Sequence, residues 1–189
     1  MIYGSVCSGI EAATVAWHPL DWKPSFFSEI EKFPRAVLQY HYPIVPLHGD
    51  FTTIQAGDYE PIDLLVGGTP CQSFSIAGLR GGLDDARGNL AVEFLRSEIN
   101  GAGDSVGALR SASGGSSRDY IAQVGVRRLT PRECERLQGF PDDYTLIPYR
   151  GKFAADGPRY KALGNSMAVP VMRWIGSRIE AMEQIRGAG

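Results

Sequence analysis

The sequence predicts an α/β domain on a mostly parallel sheet, and three observations carry that reading. Strand-like and helix-like segments alternate through the first third of the chain, the pattern of a sheet covered by helices. The strand-like runs end in serine, glycine or acidic residues, the composition of a ligand-binding strand end. One run, "PIDLLVGG" at 61–68, climbs without interruption to Val66 and then breaks into Gly67-Gly68-Thr69-Pro70, with Cys71 directly after.

The elements follow in order. "MIYGSVCSG" reads as a strand entering a glycine turn, and "IEAATVAWHPL" as a helix ended by Pro19. "KPSFFSEI" gives a second strand. "EKFPRAVLQYHYP" gives a second helix, with Pro34 near its start, where proline is tolerated. "PLHGDFTTI" holds a short third strand ending at Gly49-Asp50, and "PIDLLVGG" is the fourth. The chain then changes character: "SEINGAGDSVGALRSASGGSSRD" at 97–119 is rich in Gly, Ser and Ala and has the composition of a linker. Order returns with "LTPRECERLQGFP". Thr130 is placed as N-cap, Pro131 at the first helical position and Glu133 three residues on, a capping box, with Gly139 and Pro141 as the stop. "NSMAVPVMRWIGSRIEAMEQI" predicts a C-terminal helix with Val171, Trp174, Ile175 and Ile179 on its apolar face. The organisation is therefore 1–96, a linker over 97–125, and 126–189.

A length of 189 residues fits one domain, and 43% hydrophobic content supplies a core. No apolar run reaches the roughly 20 residues of a membrane span, and the first residues lack the features of a signal peptide. A cytoplasmic protein without membrane contact is expected. Three widely spaced cysteines, Cys7, Cys71 and Cys134, fit neither a disulfide framework nor a zinc site, so no metal is expected. The net charge of −2 carries no bulk nucleic-acid signal, although a local basic face is compatible with it.

Candidate functional residues cluster at strand ends. In "SVCSGIEAA" a serine and a glycine between strand and helix allow close backbone approach to a ligand, and an ordinary tight turn has the same composition. Glu29 can accept two hydrogen bonds from a ribose diol or simply sit at a helix N-terminus. Asp50 poses the same choice, for an adenine amino group or a ribose. Cys71 lies just past a buried strand, a place suited to a reactive thiolate rather than a packing thiol. Cys7 and Cys134 read as packing residues. A cysteine hydrolase would need a histidine base, and His18, His41 and His48 all lie early with no evident pairing.

Together these segments resemble the cytosine-C5 DNA methyltransferases, in their prophage, Dcm-like form. "GGTPCQSFSIAG" resembles the Pro-Cys-Gln nucleophile motif and "SVCSGIEAA" the first S-adenosylmethionine motif. "SEIEKF" and "HGDFTTI" resemble the second and third, and "DDARGNL" the Arg-Gly-x-Leu segment. "RRLTPRECERLQGFPDDY" and "YKALGNSMAVPV" resemble the ninth and tenth. The resemblance implies a Rossmann-like methyltransferase fold, S-adenosyl-L-methionine as cofactor and DNA as substrate. It implies Cys71 as the nucleophile that attacks C6 of a flipped cytosine. It assigns Ser8, Gly9, Ile10, Glu29, Ile30, Asp50, Phe51, Pro70, Asn165, Ser166 and Val169 to the cofactor, and Gln72, Ser73 and Arg87 to DNA.

The sequence also departs from the family pattern. No Glu-Asn-Val motif follows the nucleophile, and Glu98 in "SEIN" lacks the apolar strand that should precede it. A Gln-x-Arg-x-Arg motif and the target recognition domain are missing as well. The chain reads as a methyltransferase with its middle removed. A sheet lacking central strands and an exposed edge are expected. Loss of general-acid assistance would cost about 10²–10⁴-fold in rate, and most base readout would vanish. The alternative is a catalytically inactive remnant, or half of a split enzyme completed by a complementary chain.

Overall fold

The structure is a computed structural model and describes residues 1–68, 120–122 and 126–187. Four parallel strands form its centre: β1 (Ile2–Val6), β2 (Lys23–Ser28), β3 (Leu47–His48) and β4 (Leu64–Gly67). Their order is β3-β2-β1-β4. The chain builds outward from β1 to β3, then returns to add β4 on the other side of β1. The order reverses between β1 and β4, and ligands bind at the carboxyl ends of strands beside such a reversal.

The pleat sorts the sheet's side chains onto two faces. Tyr3, Leu64 and Val66 join a core with Ala12, Ala13, Ala16 and Trp17 of helix α1 (Ala12–Trp17). Val6, Phe26, Phe51, Ile62 and Leu65 pack on the opposite face. Register pairs Tyr3 with Leu64, Gly4 with Leu65 and Val6 with Gly67. Gly4 is required by close approach, since a Cβ there would stand 2.5 Å from the Phe26 ring. Helix α2 (Lys32–His41) buries Phe33, Val37 and Leu38.

The first helix is shorter than its sequence pattern. It ends at Trp17, and Pro19 lies inside a 3-10 turn over His18–Leu20. An antiparallel hairpin pairs β5 (Tyr120–Ala122) with β6 (Val126–Arg128). Pairing thus reaches into the span expected as linker, where Tyr120 and Ile121 are good strand formers. The remaining linker residues, 97–119 and 123–125, lie outside the described residues.

Helix α3 (Pro131–Gln138) has the expected capping box between Thr130 and Glu133, and Gly139 closes it at φ 83°. Two elements had no strong sequence signal: the hairpin of β7 (Pro148–Tyr149) with β8 (Lys152–Phe153), and helix α4 (Asp156–Asn165). The C-terminal helix α5 runs over Val169–Gly187, after a break at Ser166 to Ala168. Its expected apolar face is partly corrected. Val169, Met172 and Gly176 are buried, with Ile175 and Ile179 against the core, whereas Val171 and Trp174 are exposed. The phase is set by Trp17, whose indole nitrogen donates to Met172 O at 2.7 Å and whose ring fills the space over Gly176. The helix therefore lies on α1. No helix among the described residues is long and apolar enough to cross a membrane.

Candidate cofactor crevice at the strand ends

The turn after β1 is tied to the end of β2. Ser8 N–H donates to Ser28 O at 3.0 Å, and Ser8 Oγ lies 3.0 Å from Ser5 O and 3.1 Å from Ser28 O. Gly9 follows at φ 57°, and a Cβ built on it would meet nothing within 4 Å among the described residues. No described residue therefore covers the turn at its glycine. Cys7 and Glu11 are also left-handed, at φ 48° and 63°, which is costly for residues with a Cβ. The cost at Glu11 is offset by its fully buried carboxylate, which accepts bonds from Ser5 Oγ and from Thr14 N–H at 3.1 Å. Burial pushes that carboxyl above the usual carboxylate range, against the bonds from Ser5 and Thr14 that favour its charge.

Glu29 stands at the carboxyl end of β2, directed at the first turn. One carboxylate oxygen accepts from Gly9 N–H at 2.8 Å and the other from Glu31 N–H at 2.7 Å. Each oxygen keeps a second lone pair. Arg35 of α2 donates to Glu29 O at 2.7 Å and to His48 O at 2.5 Å, clamping the ends of β2 and β3 together. Asp50, exposed beyond β3, accepts from Thr52 N–H at 3.0 Å and Thr52 Oγ1 at 2.8 Å, both on Oδ1. Ile30 is 68% exposed beside Glu29, whereas Phe51 is buried in the second core.

The C-terminal segment reaches the same end of the sheet. Met167 lies 3.8 Å from where a Gly68 Cβ would stand, at the exit of β4. Asn165 is exposed at the end of α4, Ser166 is buried, and Val169 is packed in the core. Ile10 is also fully buried. The structure thus brings Ser8, Gly9, Glu29 and Asp50 to adjacent strand ends, with the segment 165–167 near the β4 exit. Pro70, Cys71, Gln72, Ser73, Arg87 and Glu98 lie outside the described residues.

The other cysteines and histidines have structural surroundings. Burial, with the carboxylates of Glu29 and Asp50 nearby, pushes the Cys7 thiol up to about 12. Cys134 packs at the edge of the main core. His41 stacks on Tyr144 at 4.1 Å, and His48 contacts Tyr59 Oη and Thr53 Oγ1 at 2.8 Å each. Residues the sequence reading missed are Glu11, Arg35, Tyr144 and Met167. Arg35 and Met167 carry no local signal, and Glu11 reads in sequence as an ordinary first-turn acid.

The strand ends offer carboxylate acceptors to a ligand's hydroxyl and amino groups. The Gly9 turn, which no described residue covers, lets a ligand approach the backbone.

The family model for C-5 cytosine-specific DNA methylases matches residues 1–98 and 103–181. A DNA N-6-adenine-methyltransferase of Escherichia phage P1 is 57% identical over 99 residues, covering 50% of this chain and 13% of that protein. The type II methyltransferase M.HpaII of Haemophilus parainfluenzae is 49% identical over 59 residues, covering 31% of this chain and 15% of its own length. M.AquIA of Picosynechococcus is 38% identical over 101 residues, 49% of this chain and 41% of that one. These matches thus span 13–41% of the relatives' lengths. The crystal structure of S. pombe Dnmt2 methyltransferase superposes with a TM-score of 0.59 at 13% identity, covering 96% of this chain and 99% of that one. The fold is the Rossmann-like methyltransferase fold.

Proposed function

The chain belongs to the C-5 cytosine-specific DNA methylase family, and on that premise we propose that it methylates C5 of cytosine in DNA, with S-adenosylmethionine as donor and Cys71 as nucleophile. The observation that carries the cofactor part is the Glu29 carboxylate. It follows β2, the neighbour of β1 at the sheet's reversal, and accepts from the N–H of a glycine turn that no described residue covers. The Cys71 part rests on the Pro-Cys-Gln segment that follows β4.

In this reading Glu29 binds the ribose, with Ile30 against the nucleoside, and Asp50 and Phe51 contact the adenine. Ser8 and Gly9 line the path of the methionine portion. Pro70, Asn165 and Ser166 complete the pocket, and Ile10 and Val169, packed in the core, support its walls. S-adenosylmethionine, when bound, would supply a methyl group on a positively charged sulfur, which would leave as a neutral thioether when its bond to the methyl breaks. Cys71 thiolate forms a bond to C6 of the target cytosine, which makes C5 nucleophilic. After C5 is substituted, a base takes the C5 proton, the C5–C6 double bond reforms and the thiolate leaves. Gln72, Ser73 and Arg87 hold the DNA backbone around the flipped nucleotide. Cys7 is not an alternative nucleophile, because a thiol at about 12 is scarcely ionised near neutrality.

A second reading is adenine N6 methylation, favoured by the name of the phage P1 relative. The exocyclic amine of adenine carries its own lone pair and needs no covalent cysteine. A complementary chain gains no support from the structure or the relatives.

Incubation with tritiated S-adenosylmethionine and mixed-sequence DNA tests both readings, with nucleoside analysis of the product. The proposal expects label in 5-methylcytosine that disappears in Cys71→Ala. Label in N6-methyladenine that survives Cys71→Ala would establish the second reading. No label, with cofactor binding intact by calorimetry, would identify an inactive remnant.

A further inference from the structure

The turn that faces the proposed cofactor is held by a side chain from the other end of the sequence. Tyr144 Oη donates to the Ile10 carbonyl at 2.9 Å. Ile10 lies between Gly9 and Glu11, both left-handed, so this carbonyl leads directly into the strained Glu11 backbone.

Tyr144 has little freedom of its own. It is 5% exposed. His41 stacks on its ring at an interplanar angle of 3° and donates from Nε2 to its carbonyl at 2.8 Å. The residues on either side grip one buried carboxylate: Asp143 N–H and Thr145 N–H each donate to Glu135 at 2.8 Å. Arg159 pairs with that carboxylate at 3.2 Å. The Tyr42 hydroxyl lies 3.1 Å from the Tyr144 hydroxyl. Because the Tyr144 proton is committed to Ile10, Tyr42 is the donor of that pair. Of the two tyrosine hydroxyls, that of Tyr144 is the one that bonds the turn.

We propose that Tyr144 is a positioning residue that sets the Ser8 to Glu11 turn for cofactor binding through its hydrogen bond to Ile10, so that the C-terminal segment tunes the affinity of the N-terminal crevice. The cofactor's identity rests on the reading above, whereas the tie to the turn does not. Without the hydroxyl, the buried Ile10 carbonyl loses its partner and the strained turn samples other conformations before a ligand arrives. The cost then appears in binding.

Tyr144→Phe and Tyr42→Phe separate this role from general packing, since each removes one hydroxyl and only one of them touches the turn. Calorimetry with S-adenosylmethionine should show about 3- to 10-fold weaker binding for Tyr144→Phe and less than about twofold for Tyr42→Phe. Amide exchange in the ligand-free protein should accelerate at residues 8–11 in Tyr144→Phe alone. Unchanged exchange and affinity in Tyr144→Phe, or equal changes in both variants, would overturn the proposal. If the unaltered protein binds no S-adenosylmethionine, the proposed function fails, and the exchange measurement still decides the role of Tyr144.

Discussion

Two titratable groups at the first turn, the partly buried Cys7 and the fully buried Glu11, are both held toward their neutral forms. The Cys7 thiol, pushed up to about 12 by burial and then by Glu29 and Asp50, carries thiolate at roughly one part in ten thousand at pH 8. Alkylation with iodoacetamide at that pH, mapped by mass spectrometry, should leave Cys7 unmodified long after a free thiol has reacted; rapid labelling of Cys7 would contradict its burial. Glu11 is raised instead by burial alone. Its folded form holds the proton more tightly than the unfolded chain does, so its contribution to stability falls as pH rises from the ordinary glutamate value of about 4.3 toward the raised folded value. Glu11→Gln removes that titration. Its stability relative to the unaltered protein should therefore increase with pH across this window, read as denaturation midpoints near about pH 4.5 and 7; a difference that stays flat would place the titration elsewhere. Glu29 and Asp50 were legible in the sequence because the strand-end rule needs only local pattern. Glu11 and Tyr144 were not. A glutamate beginning a helix gives no sign that its φ is positive, and the bond from Tyr144 spans 134 residues of sequence.

Helix α5 shows what local pattern leaves open at the scale of an element. Its existence was plain from apolar spacing, but its rotation was not, since Val171 and Trp174 are as apolar as the residues that became buried. Rotation is chosen by the partner. Trp17 presents a flat indole that only a glycine can meet, and a Cβ at Gly176 would stand 2.5 Å from two of its ring atoms and 3.1 Å from Leu20 Cδ1. Gly176→Ala gains helix propensity, about 1 kcal/mol, and forces the α1 contact apart, at about 1–3 kcal/mol. The net result should be a loss of stability with a lengthened Trp17 to Met172 hydrogen bond, read from the denaturation midpoint and Trp17 indole shift. A more stable variant would mean that the helix rides on α1 more loosely than the structure depicts. Helix α3 was legible to its ends for the contrary reason: Thr130, Glu133 and Gly139 specify its caps without any partner.

At the scale of the molecule, the segments before and after the undescribed stretch are one packed body. Trp22 Nε1 donates to Glu180 at 3.0 Å, Lys161 pairs with Glu31 at 3.2 Å, and Tyr144 bonds Ile10. The exposed Lys161 pair contributes little, so the junction depends on buried groups. Arg159 and Glu135, both in the C-terminal segment, form a buried pair behind Tyr144, with side chains 7% and 0% exposed. Arg159→Met leaves a buried carboxylate without its cation, a change that typically costs about 3–5 kcal/mol. The Glu135 carboxylate holds the backbone on both sides of Tyr144 and thereby the cofactor turn, so the loss should not stay in the C-terminal segment. Unfolding followed by Trp17 and Trp22 fluorescence and by helical circular dichroism should move together to a lower midpoint. Exchange protection of β1 and β2 should fall by the same free energy, as a single cooperative unit requires. Protection of β1 and β2 that survives Arg159→Met while α3 and α4 open would mean the cofactor crevice belongs to the N-terminal strands alone.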